Sequence, residues 1–236
     1  MAGILEIFAF PALVVAILAY LLGSVCFAIP FTRLFDHHAD IRELGSGNAG
    51  LTNVLRSVGV KAAVFTLIFD FGKCAASVLV GRMIFRSVCL ANGLPPYYAQ
   101  YGAFLAGLAC VLGHIYPLYF GFHGGKGILS TSAMMLFLDW RVFLVGISVF
   151  AVILAVSKIV SISSILAATS FPVSNFIFSF WDYRSGFSGY GPLSLTYVWV
   201  TTAISLLFAV ILILEHHENI KRLKNGTEKK FSVKRK

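Results

Sequence analysis

Seven apolar runs dominate the sequence and leave this chain little choice of fold. They lie at about 4–30, 60–85, 99–120, 128–138, 142–157, 162–181 and 196–215. Hydrophobic residues make up 58% of the chain and charged residues only 12%. A soluble domain with this composition could not cover its surface with polar groups. The sequence therefore predicts an all-α integral membrane protein, because a helix satisfies its own backbone hydrogen bonds in lipid.

The fourth run is shorter than the others. Residues 128–138 would form about 17 Å of helix, whereas the hydrocarbon core of a bilayer is about 30 Å thick. We expect a half-helix surrounded by protein, since incomplete spans are tolerated away from lipid. The first run, Ile4 to Pro30, is too long for the core of a cleaved signal peptide and is expected to persist as a spanning helix. The prediction is seven transmembrane helices.

The distribution of charge predicts the orientation of these helices. If the N-terminus lies outside, the outer stretches hold only Arg82, Arg86, Arg141 and Arg184. The cytoplasmic stretches then hold all eight cations after residue 220, together with Arg33, Arg42, Arg56, Lys61, Lys126 and Lys158. Positive residues favour the cytoplasmic side, so we expect the N-terminus outside and the C-terminus in the cytoplasm.

The net charge of +9 indicates an anionic partner. Eight of the 19 Lys and Arg residues lie in a tail at about 221–236, which favours membrane lipid over nucleic acid as that partner. No linker, low-complexity segment or internal repeat divides the chain, so we expect one transmembrane domain over residues 1–236. Nothing in the sequence implies an obligatory protein partner.

A glycine-rich segment with one arginine, GSGNAGLTNVLR (Gly45–Arg56), follows the first apolar run. It contains the spacing G-x-G-x-x-G but follows a spanning helix rather than a strand, so a dinucleotide site is rejected. A glycine turn into a helix that begins near Leu51 would direct free N–H groups at an anion. The alternative is a tight loop whose polar residues only cap the next helix. The candidate ligands are Ser46, Gly47, Asn48, Gly50, Thr52, Asn53 and Arg56.

A second glycine-rich segment, GFHGGKG (Gly121–Gly127), precedes the half-helix. Its spacing departs from the P-loop, and Gly127 stands where Ser or Thr would bind magnesium, so nucleotide hydrolysis is not expected. Lys126 is a candidate phosphate ligand, with backbone donors accessible at Gly124 and Gly125. The alternative is a lysine that extends to the lipid headgroups and sets orientation.

The histidines His114, His123, His216 and His217 could be gathered into a metal site. No pair at i, i+4 with a helical glutamate occurs and no carboxylate cluster accompanies them, so neither metal nor cofactor is predicted. His216 is a candidate for hydrogen bonding or proton handling near a phosphate, with Asn219 one helical turn later. His114 is either a phosphate ligand or a polar residue that satisfies a neighbouring helix.

Asp70 and Lys73 lie within the second apolar run, three residues apart. Charges inside a membrane are costly and are usually paired. Since the two can neutralise each other within one helix, we expect a structural ion pair rather than a catalytic one. The four cysteines are scattered in or beside apolar runs and are expected to be small buried hydrophobes.

Taken together, these segments resemble the bacterial integral-membrane glycerol-3-phosphate acyltransferases that use acyl phosphate as donor, the PlsY family. The resemblance is carried by SGNAGLTNVLRSVG (Ser46–Gly59), DFGK (Asp70–Lys73), GHIYPLYFGFHGGKG (Gly113–Gly127), IVSISSI (Ile159–Ile165) and HHENIKRLKNGTEKK (His216–Lys230). Each motif is weak alone, but their order and spacing are specific. The family usually has Ala in place of Leu51 and commonly Arg in place of Glu215 and His217, so no role is carried over to those last two.

The resemblance implies a seven-helix enzyme of the bacterial inner membrane with its active site on the cytoplasmic side. It implies transfer of a fatty acyl group from acyl phosphate to the 1-hydroxyl of sn-glycerol 3-phosphate, giving lysophosphatidic acid and phosphate. The family uses no coenzyme A, acyl carrier protein or metal. Its catalytic and phosphate-binding residues match Ser46, Arg56, Lys126, His216 and Asn219, and its other motifs match Gly47, Gly50, Gly124, Gly125, Ser163 and Ser164.

This chemistry suits the residues present. An acyl phosphate is already activated, so the protein has mainly to hold two anions, orient the hydroxyl and stabilise developing negative charge. No serine lies in G-x-S-x-G and no histidine begins H-x-x-x-x-D, so an acyl-enzyme is disfavoured and a substrate phosphate is the expected proton acceptor. The alternatives are a transporter of a small organic phosphate and a lipid phosphotransferase. The first would favour duplicated halves and the second clustered aspartates, and neither is found.

Overall fold

The computed structural model describes residues 2–37 and 39–231, and the regular elements in these ranges are all helices. The α-helices are α1 (Ala2–Gly23), α2 (Ala28–Phe35), α3 (Leu51–Ser57), α4 (Val60–Asn92), α5 (Tyr98–Ile115), α6 (Ile128–Leu138), α7 (Trp140–Ser157), α8 (Val160–Ser185), α9 (Leu195–Glu215) and α10 (His217–Lys224). Two 3₁₀ turns lie at Ile41–Glu43 and Leu118–Phe120. The predicted all-α fold is confirmed, and residues 232–236 of the basic tail lie outside the described residues.

Six helical segments in the described ranges are long and apolar enough to cross a membrane. One of them, Gly3–Phe35, joins α1 and α2, and the others correspond to α4, α5, α7, α8 and α9. The short helix α6 has 11 residues, and its bounds are those predicted from the sequence, 128–138. A seventh crossing through α6 stays a prediction, as does the orientation of the termini.

The helix α5 lies at the centre of the packing. It contacts α1, α4 and α6, while α7, α8 and α9 pack against one another in sequence order and α6 joins the two groups. Where α4 and α5 cross, Gly81 faces Gly102, and a Cβ on either glycine would collide with the carbonyl oxygen of the other. Small residues allow this close approach, which membrane helices need because lipid supplies no hydrophobic drive for association.

The first apolar run does not form the single helix expected for Ile4 to Pro30. Helix α1 ends at Gly23 and α2 begins at Ala28. Lys73 Nζ on α4 donates to the carbonyl of Gly23 at 2.9 Å and to that of Val25 at 2.7 Å. The helix can break here because a buried cation takes over carbonyls that would otherwise be unsatisfied in the membrane.

The expected structural ion pair is present and completes this break. Lys73 Nζ lies 2.7 Å from Asp70 Oδ1, and both side chains are 1% exposed. Phe27 is the last residue before α2, and its backbone N–H donates to Asp70 Oδ1 at 3.3 Å. The pair therefore neutralises its own charge and satisfies the backbone on both sides of the interruption.

A second cation on α4, the half-buried Arg82, pairs with the end of the short helix α6. Arg82 on α4 donates to the carbonyl of Phe137, in the last turn of α6, and to Gln100 Oε1 at 3.2 Å. A single residue, Asp139, separates α6 from α7, and its side chain accepts the N–H of Arg141 at 2.8 Å as the cap of α7. The half-helix can thus stop early with its Met135 carbonyl paired by the N–H of Asp139 and its Phe137 carbonyl by Arg82.

The helix order produces two ends of the bundle. At one end, which we call the site face, α1, α5, α7 and α9 finish and α4, α6 and α8 begin. At the opposite end Arg141 pairs with Asp182 at 2.6 Å, joining the start of α7 to the last turns of α8. An aromatic cluster lies at the same opposite end and includes Phe8, Phe85, Tyr97, Tyr98, Tyr101 and Tyr197.

We expect Arg82→Met to lower the unfolding free energy in detergent by about 1.5–3 kcal/mol, because a hydrogen bond from a charged donor contributes about that much. The matched control is Arg86→Met, on the same helix at an exposed position. Thermal unfolding followed by circular dichroism measures both variants. Equal midpoints for the two would show that Arg82 does not hold the end of α6.

Candidate active site

The first glycine-rich segment is a loop built around Asn53. The Asn53 Nδ2 atom donates to the carbonyls of Ile41, Leu44 and Asn48 at 3.2, 2.9 and 3.0 Å, and its Oδ1 accepts the N–H of Ser46 at 3.0 Å. Asn53 is buried. Its polar atoms are therefore occupied by the loop, and the direct phosphate contact predicted for it is not supported. Asn53 positions the loop instead.

The glycines of this loop also use their N–H groups internally. The N–H of Gly47 donates to Leu44 and that of Gly50 to Asn48, each at 2.9 Å. Gly47 has a φ of +72°, in the left-handed region that favours glycine. The predicted backbone donors at Gly47 and Gly50 are thus spent on the turn. Ser46 is exposed beside them, and α3 begins at Leu51 as predicted.

Three other candidates of this loop lie near its surface. Asn48 and Thr52 are half-buried, and Asn48 offers its side chain next to Gly50. Arg56 follows one turn into α3 and is also half-buried. These side chains, together with Ser46, are the polar groups that the loop leaves for a ligand.

The second glycine-rich segment is fixed to the end of α5. The N–H of Gly124 donates to the carbonyl of Ile115 and that of Gly125 to the carbonyl of His114, both at 3.1 Å. A Cβ on Gly124 would collide with the carbonyl oxygen of His114. The prediction that these two N–H groups face a phosphate is therefore not supported, because the glycines are needed to seat the loop against α5. The loop positions Lys126.

The two glycine-rich segments pack against each other. A Cβ on Gly125 would lie only 2.6 Å from the carbonyl oxygen of Ala49 in the first segment. Arg42, just before that segment, donates through Nη1 to the carbonyl of Phe120 at 2.8 Å, and its guanidinium is held by Asp40. Segments about 75 residues apart in sequence thus meet on the site face.

Lys126 is the start of a chain of polar contacts across the site face. Its Nζ donates to Asn219 Oδ1 on α10. Asn219 Nδ2 in turn donates to Glu228 Oε1 at 2.6 Å. Glu228 also accepts from Arg222 Nε and from Ser161 Oγ, each at 2.7 Å. The loop before α6, the start of α8, helix α10 and the tail are thus joined in one network.

Arg56 connects the first loop to the same tail. Its Nη2 atom donates to the carbonyl of Lys230 at 3.2 Å, and its buried Nε has no hydrogen-bond partner among the described residues. The N–H of Phe231 donates to the carbonyl of Lys158, at the end of α7, at 2.6 Å. The tail therefore lies over the site face, and Arg56 and Lys126 are part of that face.

Of the serines in the SISS cluster, Ser161 is the one that joins the polar network, and a substrate contact for Ser163 and Ser164 stays a prediction. Ser163 Oγ donates to the carbonyl of Ile159 within α8, and Ser164 is buried at 3% exposure, whereas Ser161 joins Glu228. Sequence reasoning missed Glu228 and Arg222 as members of the network. The sequence did hold a signal for Glu228, which is the only acidic residue in the basic tail at about 221–236. A single carboxylate among many cations is expected to form an ion pair with one of them.

Burial sets the protonation of the site. It lowers the pKa of Lys126 to about 8, and the charge of Arg222 acts in the same direction. It lowers the pKa of His216 to about 4, although the contact of Nδ1 with the carbonyl of Leu212 favours the charged form. Burial opposes the charge of Glu228, but hydrogen bonds from Asn219, Arg222 and Ser161 outweigh it and lower that pKa.

His216 is therefore neutral at neutral pH. Its Nδ1 lies 2.6 Å from the carbonyl of Leu212, a pure acceptor, so Nδ1 carries the proton and Nε2 is an acceptor. His114 differs, because its ring is buried behind the second glycine-rich loop with Nδ1 3.0 Å from Lys73 Nζ. The arrangement offers two cations, Lys126 and Arg56, beside neutral polar groups and the Arg222–Glu228 ion pair, which suits phosphate-bearing ligands.

Comparison with known proteins gives consistent matches along the chain. The glycerol-3-phosphate acyltransferase family matches residues 13–226. The glycerol-3-phosphate acyltransferase of Cereibacter sphaeroides is 36% identical over 218 residues, covering 92% of this chain and 89% of that protein. The one from Thermoanaerobacter sp. strain X514 is 34% identical over 226 residues, covering 94% and 97%.

Two solved structures are similar to this fold. A crystal structure of PlsY (YgiH), an integral membrane glycerol 3-phosphate acyltransferase in its glycerol 3-phosphate form, has a TM-score of 0.72 and 32% identity. The match covers 94% of this chain and 96% of the chain in that crystal structure. The lysophosphatidic acid form gives a TM-score of 0.70. These matches agree with the resemblance drawn from the motifs.

We expect the affinity for glycerol 3-phosphate to fall as the pH rises through about 8, because the charge of Lys126 is present below its pKa of about 8 and is lost above it. Lys126→Arg keeps its charge over this range, so its affinity should change less. Titration calorimetry from about pH 7 to about pH 9.5 measures both proteins. The same pH dependence in both would show that Lys126 is not the titrating cation.

Proposed function

Since this chain belongs to the glycerol-3-phosphate acyltransferase family and is an acyltransferase, we propose that it transfers a fatty acyl group from acyl phosphate to the 1-hydroxyl of sn-glycerol 3-phosphate. The products are 1-acyl-glycerol 3-phosphate and phosphate. The observation that carries the proposal is the convergence of Lys126 and Arg56, from distant segments, beneath one tail on the site face. Two separate cations suit two phosphate-bearing substrates.

In this proposal the side chains act by holding the substrates. Lys126 and Arg56 bind phosphate groups, and the exposed Ser46 hydroxyl adds a neutral donor. Asn219 holds the Lys126 ammonium through its Oδ1, and His216 offers an acceptor at Nε2 to an incoming hydroxyl. Positioned charges in a partly dry site favour the transition state because they need no reorganisation when negative charge develops on the carbonyl oxygen.

The reaction needs no covalent intermediate with the protein. The 1-hydroxyl oxygen bonds to the acyl carbon, and the bond from that carbon to the phosphate oxygen breaks. We propose that the hydroxyl proton leaves with the released phosphate. The pKa of about 4 makes His216 a weak proton acceptor at neutral pH, and hydrogen bonds to Asn219, Arg222 and Ser161 already occupy the Glu228 carboxylate.

We also propose that the chain is a single domain that crosses the bacterial inner membrane seven times, with the N-terminus outside. The site face is then exposed to the cytoplasm. This agrees with the positive-inside rule, since the loops and tail at that face are rich in Lys and Arg. An odd number of crossings requires α6 to complete one. The Arg82 contact at its end supports this, because it lets 11 residues bridge the protein interior. Membrane lipids are the surroundings, and no protein partner is proposed.

The direct test supplies purified protein in detergent with synthetic acyl phosphate and glycerol 3-phosphate. We expect lysophosphatidic acid and inorganic phosphate to form in equal amounts. Lys126→Ala and Arg56→Ala should each lower the rate by about tenfold or more, because a charge-assisted phosphate contact contributes about 1.5 kcal/mol or more. Mass spectrometry and a phosphate assay measure the products.

Lys61→Ala is the matched control, since Lys61 is an exposed lysine at the start of α4. Near-normal rates in both test variants would contradict the proposed roles of Lys126 and Arg56. Turnover with acyl-coenzyme A but none with acyl phosphate would contradict the proposed donor.

A further inference from the structure

The side-chain amide of Asn219 lies between two charged groups of opposite sign. Its Oδ1 accepts a hydrogen bond from Lys126 Nζ, and its Nδ2 donates to Glu228 Oε1 at 2.6 Å. An ammonium can only donate and an ionised carboxylate can only accept, so each contact alone fixes the same orientation of the amide. A flipped amide would set donor against donor at Lys126 and acceptor against acceptor at Glu228. The contact of Asn219 with Lys126 therefore depends on Glu228.

The Glu228 carboxylate is held by the start of α8 and by α10. Its Oε1 also accepts from Ser161 Oγ and its Oε2 accepts from Arg222 Nε, each at 2.7 Å. The Glu228 side chain is only 10% exposed. Although burial opposes its charge, the hydrogen bonds from Asn219, Arg222 and Ser161 lower the pKa of Glu228. The carboxylate is therefore ionised at neutral pH and remains an acceptor.

A tight turn after α10 brings Glu228 back against that helix. Gly226 has a φ of +69°, in the left-handed region that favours glycine, and the N–H of Thr227 donates to the carbonyl of Arg222 at 2.9 Å. The chain reverses at this turn, and the next side chain reaches Asn219 on the helix it has just left. The position of the carboxylate is thus set by the local fold of α10 and its turn.

We propose that Glu228 is a positioning residue, which holds the Asn219 amide with its oxygen toward Lys126 and so directs the Lys126 ammonium at a substrate phosphate. Among the described residues, Asn219 is the one that accepts a hydrogen bond from Lys126 Nζ, which leaves two ammonium hydrogens for that phosphate. The identity of the phosphate rests on the proposed function. Because a carboxylate would repel a phosphate, Glu228 acts through Asn219 and not as a substrate ligand.

The first test replaces the carboxylate with an amide. In Glu228→Gln the charged Arg222 is the stronger donor and takes the one remaining oxygen, so the new NH₂ group faces Asn219 Nδ2 and no longer fixes it. We expect KM for glycerol 3-phosphate to rise about tenfold, because a hydrogen bond to a charged group is worth about that much, with kcat changed less. The matched control is Glu43→Gln, at an exposed carboxylate beside the first glycine-rich segment. Equal KM values in the two variants would overturn the proposal.

The pH dependence separates the position of Lys126 from its charge. Burial lowers the pKa of Lys126 to about 8. The titratable groups that interact with it are Arg222, which acts in the same direction, Glu228, Glu215 and Glu218, which raise its pKa, and the neutral His216. Loss of the Glu228 charge alone would weaken binding only near and above the pKa of Lys126. The positioning role predicts that the tenfold rise in KM persists at about pH 6.5, where the ammonium is protonated in both proteins. A normal KM at that pH would overturn the proposal.

A reversed pair provides a second test. In Asn219→Asp the new carboxylate would face Glu228 and be repelled by it, so this variant should also bind poorly. When Asn219→Asp is combined with Glu228→Gln, the amide at position 228 can donate to the carboxylate at position 219, whose other oxygen still accepts from Lys126. We expect KM for the double variant to be lower than for either single variant. A double variant as poor as the worse single variant would overturn the proposal.

Hydrogen exchange in the native protein tests the amide without turnover or substitution. In protein labelled with ¹⁵N-asparagine, the side-chain amide of Asn219 should exchange its hydrogens with water more slowly than that of the exposed Asn225, because it donates to a buried carboxylate. Equally fast exchange would overturn the proposal even if no variant folded. If the native protein did not turn over acyl phosphate, the proposed function would fail while exchange still tested the amide. If turnover occurred but Glu228→Gln had a normal KM, the positioning role would fail and the proposed function would stand.

Discussion

A backbone carbonyl released inside a bilayer must find a donor within the protein, and this requirement shapes the whole molecule. Two cations on α4, the buried Lys73 and the half-buried Arg82, meet it. Lys73 takes the carbonyls freed where α1 ends, and Arg82 takes a carbonyl at the end of the short helix α6. Because these helices can end early, the chain can form short helices and loops next to a bundle that otherwise consists of long spans. The charge of Lys73 is tolerated there because Asp70 neutralises it at 2.7 Å.

The site face is the result of those interruptions. After the break at Gly23, α2 packs along the first turns of α4 through Phe27, Phe31 and Phe35 and leads into the loop around Asn53. The glycines at 124 and 125 seat a second loop on the end of α5. Helix α10 and the tail then close over both loops through Asn219, Glu228 and Lys230. The substrate-binding cations are held by contacts among segments that are distant in sequence, so the precision of the site depends on the packing of the spans.

The sequence predicted much of this and missed a particular part. Apolar runs predicted the helices, including the bounds of α6, and the motifs predicted the family. The interruption after Gly23 was missed because three of residues 24–27 are apolar and the run looks continuous, whereas the partner that satisfies the break, Lys73, lies about 50 residues away. The same holds for the glycine N–H groups, which looked free for a phosphate. The N–H of Gly47 closes a turn onto the carbonyl of Leu44, three residues back, and that of Gly125 donates to the carbonyl of His114, which the spacing alone does not bring near.

The central claim is that breaks in the spans, held by buried charges, deliver Ser46 and Lys126 to one side of the membrane. Labelling single cysteines with a membrane-impermeant maleimide tests it most directly, since the four native cysteines are buried. In Ser46→Cys and Lys126→Cys proteins we expect reaction in inverted vesicles and none in right-side-out vesicles, with the reverse for exposed Ser185→Cys on the opposite face. Labelling of Ser46→Cys and Lys126→Cys from different compartments would contradict the account.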